Sequence, residues 1–394
     1  MLMTYRELMS IKEMSQAKVV AGESGLHRIL CWYSIVEIQS FKEENYEDKL
    51  VFVAGIGMQD YEQEILTILE QSEKMGASGM VLEIGPFIPD VPKSVLEKGD
   101  ELEFPILTLP YEVKVSQVTY AMTQFIFERI HRMHGIRCVV DDAVAHGTNQ
   151  EVKESLAYYG YQEGEPYYSI VVEEDDNKFH TQNIVIDKLM LAFCQVFYKL
   201  NDEDVLWTDN NGKLIFFLPW RGNENLKKEV ETYMDAVKRD WHTIKYGLSL
   251  SVGVGALFKD VEGMAQSMEQ AKQALSMIHK CRKRNEIRIY EDIGIYRLFY
   301  EYNDSEEVVD IYRSILGDLL DYDKEHDSDF LDTLGVYLDC GCNIGLASDT
   351  LGIHRNTMKY RIKRIQEILN ADFNDQNQCF NLRLAYKIRK YLNL

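Results

Sequence analysis

Residues 351–365 read Leu351-Gly352-Ile353-His354-Arg355-Asn356-Thr357-Met358-Lys359-Tyr360-Arg361-Ile362-Lys363-Arg364-Ile365. Met358, Ile362, Ile365 and then Leu369 fall four, three and four residues apart, the spacing of a helix that buries one stripe. The rest of that helix carries Arg355, Asn356, Lys359, Arg361, Lys363 and Arg364, with no acid before Glu367. Upstream, Asn343 stands where an N-cap belongs, Ile344 to Leu351 make a short helix, and Gly352 follows where a positive φ is needed. A tight Gly turn between two short helices, the second basic on its exposed side, is helix-turn-helix logic. A solvated amphipathic helix with ordinary charges is the plainer alternative that the pattern alone leaves open.

If the pair is a DNA reader, its working set is His354, Arg355, Asn356, Thr357, Lys359, Tyr360, Arg361, Lys363 and Arg364. The N-terminal end of the second helix would meet major-groove base edges. Arg pairs with guanine N7 and O6, Asn with adenine, and the later cations suit phosphates. The overall charge of −21 argues against such a role until its distribution is considered. From Leu331 to Leu394, nine Lys/Arg stand against six Asp/Glu, a net of +3, so the remainder carries −24. A small basic module on a large acidic body leaves one face able to approach a polyanion.

Moving towards the N-terminus, 299–329 is acidic and helical and is expected to connect the tail to the rest, with Ile311, Leu316, Leu319 and Leu320 as its apolar stripe. The middle segment, 137–298, reads β-α-β-β-α-β-α-β. Its strands are Tyr167 to Val172, Val205 to Thr208, Leu214 to Leu218, Leu248 to Val254 and Ile287 to Tyr290. Asp209-Asn210-Asn211-Gly212 is a strong hairpin signal between the second and third. A long helix is expected from Val113 to about His134, its stripe of Val115, Val118, Ala121, Met122, Phe125 and Ile126 fitting a core or a dimer contact equally. The first segment, 1–117, is α/β, with strands at Leu50 to Ala54, Gly79 to Ile84 and Ile106 to Leu109 alternating with helices, which implies a parallel sheet. Ligands of such sheets lie beyond the carboxyl ends of strands, here at Gly55, Gly57 and Gly85, although glycines there also serve plain turns.

Metal and cofactor chemistry find little to build on. The seven cysteines include no CxxC pair, and Cys340-Gly341-Cys342 reads as small residues at a helix end. His131 and His134 lie three apart but lack a third ligand. No metal, cofactor or catalytic residue is expected. The absence of a leader-like start and of a long apolar run sets the expectation of a cytoplasmic protein without membrane contact.

The quoted stretch resembles the C-terminal helix-turn-helix of the PucR family of regulators, as do Thr333-Leu334, Tyr337-Leu338-Asp339 and Asn381-Leu382-Arg383-Leu384-Ala385. Ser348 departs from it, standing where the first helix usually has Ala. Tyr5-Arg6-Glu7-Leu8, Ala17 to Leu26, Arg28 and Trp32 resemble the family's N-terminal sensor domain. The middle resembles a GGDEF-type domain, the fold of cyclases that make cyclic di-GMP, through Ser251-Val252-Gly253-Val254-Gly255, Ala265, Ala271, Ala274 and Phe217-Leu218-Pro219. Its turn departs decisively: where the family's chemistry needs two glycines and then metal-holding acids, this chain has Asn210-Asn211-Gly212-Lys213-Leu214.

The expected organisation is a multidomain α/β protein. Residues 1–117 form an α/β sensor domain, 118–136 a linker helix and 137–298 a degenerate, ferredoxin-like or cyclase-type α+β domain. Residues 299–329 form a connecting segment and 330–394 an all-α DNA-binding domain. The resemblance implies a regulator, frequently an activator, of a catabolic operon such as one for purines or amino acids. It implies double-stranded operator DNA and a small-molecule effector as partners, in a homodimer or higher oligomer. The alternative is a nucleotide-binding or cyclase-type enzyme.

Overall fold

The computed structural model describes residues 3–36, 45–146, 149–176, 183–201, 204–222, 225–239, 247–301 and 306–392. The chain groups into two compact units. The first comprises Met1–Tyr167, Glu174–Ser249 and Lys259–Ala265; the second Tyr168–Glu173, Leu250–Phe258 and Gln266–Leu394.

The first unit opens with β1 (Met3–Thr4), α1 (Tyr5–Ser10), β2 (Lys18–Ala21), β3 (Ile29–Leu30) and β4 (Trp32–Val36). It continues with β5 (Lys49–Val53), α2 (Tyr61–Lys74), β6 (Gly79–Ile84), α3 (Lys93–Glu101), β7 (Ile106–Pro110) and α4 (Val115–His146). Its main sheet has the order β2-β7-β6-β5-β4. The pairs from β4 to β7 are parallel, as the alternation of strands and helices predicts, and β2 adds an antiparallel edge. Alternation along each strand feeds two cores. Val51, Val53, Met80, Leu82 and Ile106 pack with Ile65 and Leu69 of α2 and Val95 of α3. Leu50, Phe52, Val81, Leu107 and Leu109 pack with Leu8 of α1 and with Val118, Met122 and Ile126 of α4. The stripe on α4 is therefore core.

That helix runs twelve residues past His134, through Gly135. A glycine costs a helix about 1 kcal/mol relative to Ala and reads as a stop. Here a Cβ at Gly135 would lie 1.9 Å from the Tyr159 hydroxyl, so tertiary packing explains the glycine. Beyond α4 come α5 (Gln150–Tyr158), β8 (Tyr167–Glu174), α6 (Asn183–Asn201), β9 (Leu206–Asn210), β10 (Lys213–Pro219) and α7 (Leu226–Lys238). The sequence pattern extends the helix of Leu226 to Trp241, whose end lies outside the described residues. Asp209 pairs with Leu214 and Trp207 with Phe216 across the hairpin. Asn211 and Gly212 form its turn with φ of 49° and 79°, matching the twist of the strands.

In the second unit, β11 (Leu250–Val254) lies between β8 and β12 (Ile287–Ile289) and runs parallel to β12. The helix α8 (Glu262–Lys280) follows β11. Helices then take over: α9 (Tyr296–Glu301), α10 (Glu306–His326), α11 (Phe330–Asp339), α12 (Ile344–Leu351), α13 (Arg355–Leu369) and α14 (Gln376–Leu392). Tyr312, Leu316 and Leu319 of α10 share one core with Leu334, Ala347, Met358, Ile362, Ile365, Leu382 and Ile388. The segment expected to connect thus also contributes to the core of the helical tail.

Candidate nucleic-acid interface

Local chemistry sets the ends of the two central helices. Asn343 Oδ1 accepts from the backbone N–H groups of Gly345 and Leu346, at 2.8 and 3.1 Å, and starts α12. Gly352, at φ 63° and ψ 30°, ends it. Ile353 N–H then donates back to Ser348 O at 3.1 Å, closing the turn within two residues. Ser348 is buried and its hydroxyl donates to Gly345 O at 2.8 Å, so this departure from Ala is accommodated. His354 caps α13, its Nδ1 accepting from Asn356 N–H at 3.1 Å. That places His354 at the foot of the helix as much as on its surface.

Met358, Ile362 and Ile365 are buried, which fixes the rotation of α13. His354, Arg355, Asn356, Thr357, Lys359, Tyr360 and Lys363 are exposed. Arg355, Lys359 and Lys363 recur every four residues and form one ridge. Their side chains make no hydrogen bond or ion pair with the described residues. Like charges at this spacing cost a helix roughly 0.2–0.5 kcal/mol per pair. A cation in the first turn, where this helix has no acid, also opposes the helix dipole. The ridge is therefore maintained against helix stability, and an anionic partner would reverse the sign of both effects.

Arg361 and Arg364 differ from the ridge. Arg361 Nη1 donates to Thr333 Oγ1 at 2.8 Å and pairs with Asp329 Oδ1 at 2.8 Å. Arg364 pairs with Glu367 at 2.9 Å and lies 5.3 Å from the centre of the Tyr322 ring. Tyr322 and then Glu367 raise its pKa above the ordinary arginine value. Both arginines brace α13 against neighbouring elements. The sequence grouped them with the ridge because their partners Thr333, Asp329 and Tyr322 are distant along the chain.

At the other expected site, Gly55 has φ 72° and a Cβ there would meet Ile88 Cγ1 at 2.5 Å. Gly57 has φ 84° with open space around it, and a Cβ on Gly85 would meet Tyr111 Cβ at 2.5 Å. Gly55 and Gly85 are thus explained by packing, whereas Gly57 needs only its backbone angle. Among the described residues no three His, Cys, Asp or Glu side chains gather closely enough to hold a metal ion.

Three family models match this chain. The Purine catabolism regulatory protein-like family matches residues 7–126, a GGDEF-like domain 145–277, and the PucR C-terminal helix-turn-helix domain 330–388. Models of the PucR N-terminal region, of a GGDEF-like domain and of the PucR C-terminal helix-turn-helix thus match successive stretches of this chain. The DNA-binding transcriptional activator AdeR of Bacillus subtilis is 28% identical over 141 residues, 36% of this chain and 33% of that protein. The Purine catabolism regulatory protein of the same organism is 27% identical over 145 residues, 37% of this chain and 27% of that one. Its Proline-responsive transcriptional activator PutR is 26% identical over 159 residues, 40% of this chain and 39% of that one. The matched stretches thus span between about a quarter and two fifths of these relatives. The stretch that matches the PucR C-terminal helix-turn-helix domain, residues 330–388, includes the ridge of Arg355, Lys359 and Lys363. Among the described residues no helix is long and apolar enough to cross a membrane.

Proposed function

We propose that this chain is a DNA-binding transcription regulator, an activator of a catabolic operon, whose α13 enters the major groove of an operator. The observation that carries this reading is the unpartnered ridge on α13, led by Arg355 and Asn356. Base contacts fall to Arg355 and Asn356, and phosphate contacts to Lys359 and Lys363. His354, Thr357 and Tyr360 complete the surface, while Arg361 and Arg364 hold it in place. The relatives named above support activation, and their names range from purines to proline, which leaves the effector's class open.

The domain roles follow the same proposal. Residues 1–117 sense an effector at the strand ends near Gly55, Gly57 and Gly85. Residues 118–136 and 137–298 transmit the signal without catalysis, 299–329 connect, and 330–394 read DNA. One short helix buries too little surface for tight specific binding, so the protein works in the cytoplasm as a homodimer or higher oligomer on repeated half-sites. A two-residue turn of Asn211 and Gly212, followed by Lys213, favours a non-catalytic middle over the cyclase alternative. Salt-dependent gel shifts on fragments upstream of neighbouring genes test the proposal. Sequence-specific retention is expected, and binding no tighter to any fragment than to random DNA overturns it.

A further inference from the structure

The second unit carries another concentration of positive charge, away from α13. Lys280-Cys281-Arg282-Lys283-Arg284 places four cations in five residues of a chain whose net charge is −21. The chain leaves α8 through Arg282, at φ 53°, and the loop lies against the end of α14. Lys280, Arg282, Arg389 and Lys390 line a cleft of about 280 Å³ there, with Cys281, Tyr386 and a single acid, Asp339.

Two of the four cations are fixed by the fold. Lys280 Nζ donates to Tyr391 O at 2.8 Å and stands 3.3 Å from the centre of the Tyr391 ring. Arg389 Nη1 pairs with Asp332 Oδ1 at 3.0 Å, and its Nε is buried with no hydrogen-bond acceptor among the described residues. The other two, Arg282 and Lys390, are exposed and make no ion pair with the described residues. Glu286 neutralises the far side of the loop, meeting Lys283 at 3.1 Å and Arg288 at 2.7 Å, and is not part of the cleft. The lining thus holds four cations to one acid. Such an excess in a concave, partly desolvated place raises the local potential and favours an anion.

We propose that this cleft binds a phosphate group, gripped by Arg282 and Lys390 over the fixed charges of Lys280 and Arg389. Two exposed cations with no ion pair among the described residues suit the several acceptor oxygens of a phosphate. The cleft lies just below the range for ligand sites, about 300–1,000 Å³, and fits a phosphate or diphosphate better than a whole nucleotide. The phosphate comes either from a DNA backbone or from a free phosphorylated molecule. The DNA source rests on the proposed function; the free source does not.

The test uses the full chain and the double variant R282N/K390Q, since Asn tolerates the left-handed backbone at Arg282. Calorimetric titration with inorganic pyrophosphate probes the free source. A salt series with the operator fragment probes the DNA source. With a free phosphate, the variant binds pyrophosphate at least about tenfold more weakly, and Asp339→Asn binds it several-fold more tightly. With DNA, the slope of log K against log salt becomes shallower by about 1.8, roughly 0.9 for each lost contact. Asn356→Ala, which removes no charge, lowers affinity without moving that slope. If the double variant matches the wild type in both pyrophosphate affinity and salt slope, the cleft is not a phosphate site. If the wild type binds no DNA, the proposed function fails while the pyrophosphate result still decides the cleft.

Discussion

Two helices of this molecule carry several cations each and differ in how those charges are spent. On α4, Arg129 pairs with Glu7 at 2.7 Å, Arg132 with Asp204, and Arg137 with Asp209 at 2.8 Å. Each guanidinium also lies about 6 Å from an aromatic ring, of Phe125, Tyr159 and Trp207 respectively. On α13, Arg355, Lys359 and Lys363 have no such partners among the described residues, whereas Arg361 and Arg364 do. Counting cations on a helix therefore says little about function. Whether the fold supplies each one with an acid separates a structural arginine from one that awaits an anion.

The comparison breaks first if the ridge has no stable platform of its own. Leu316 and Leu319 of α10 are fully buried in the core that carries α13. A fragment beginning at Phe330 loses both and is expected to lack cooperative unfolding in a denaturant titration. In the full chain, Leu316→Ala should cost about 2–5 kcal/mol. A cooperative melt of that fragment at wild-type stability would show that α10 is dispensable.

The next effect sharpens the ridge itself. Arg355→Ala and Asn356→Ala are each expected to weaken specific operator binding by about 1–3 kcal/mol, with the melting temperature not lowered. Equilibrium binding on the preferred fragment measures it, and wild-type affinity in both variants would remove α13 from the groove. On α4 the expectation reverses. Arg129→Ala and Arg132→Ala should cost about 0.2–1 kcal/mol of stability, because their pairs are only partly buried, and should leave operator affinity alone. A loss of DNA binding at constant stability in either variant would erase the distinction between the helices.

How much of this was legible follows the range of each interaction. Asn343, Gly352 and the Asn211-Gly212 turn act within a few residues, so their chemistry could be read directly and the elements fall where expected. The stripe of Met358, Ile362 and Ile365 was legible for the same reason. The helix expected to end near His134 runs on to His146, and the reason for its Gly135, Tyr159, lies 24 residues further along the chain. The short edge strands β2 and β4 carry too little pattern to announce themselves. Arg361 and Arg364 were assigned to the DNA surface because Asp329 and Tyr322 reach them only through the fold. The cleft at Arg282 had a signal, four cations in five residues, but its partner Lys390 is more than a hundred residues away.

The smallest expected effect tests the comparison within one helix. Arg361 and Lys363 are two residues apart on α13 and carry the same charge. Arg361 already donates to Thr333 and pairs with Asp329, so little of its charge is available to a phosphate. Arg361→Ala should leave the salt dependence of DNA binding where it is and cost the domain up to about 1 kcal/mol, since the pair is partly exposed. Lys363 is exposed and lies four residues from Lys359. Lys363→Ala should reduce the steepness of log K against log salt by about 0.9, the mark of one lost phosphate contact. It should also leave stability unchanged or raise it by a few tenths of a kcal/mol, because a like-charge pair is removed. Salt titrations and denaturant melts of the two variants, measured side by side, separate the roles. The distinction holds only if the two variants move opposite readouts: a shallower salt slope for Arg361→Ala, or a destabilised fold for Lys363→Ala, would show that the partners seen on α13 do not decide what its cations do.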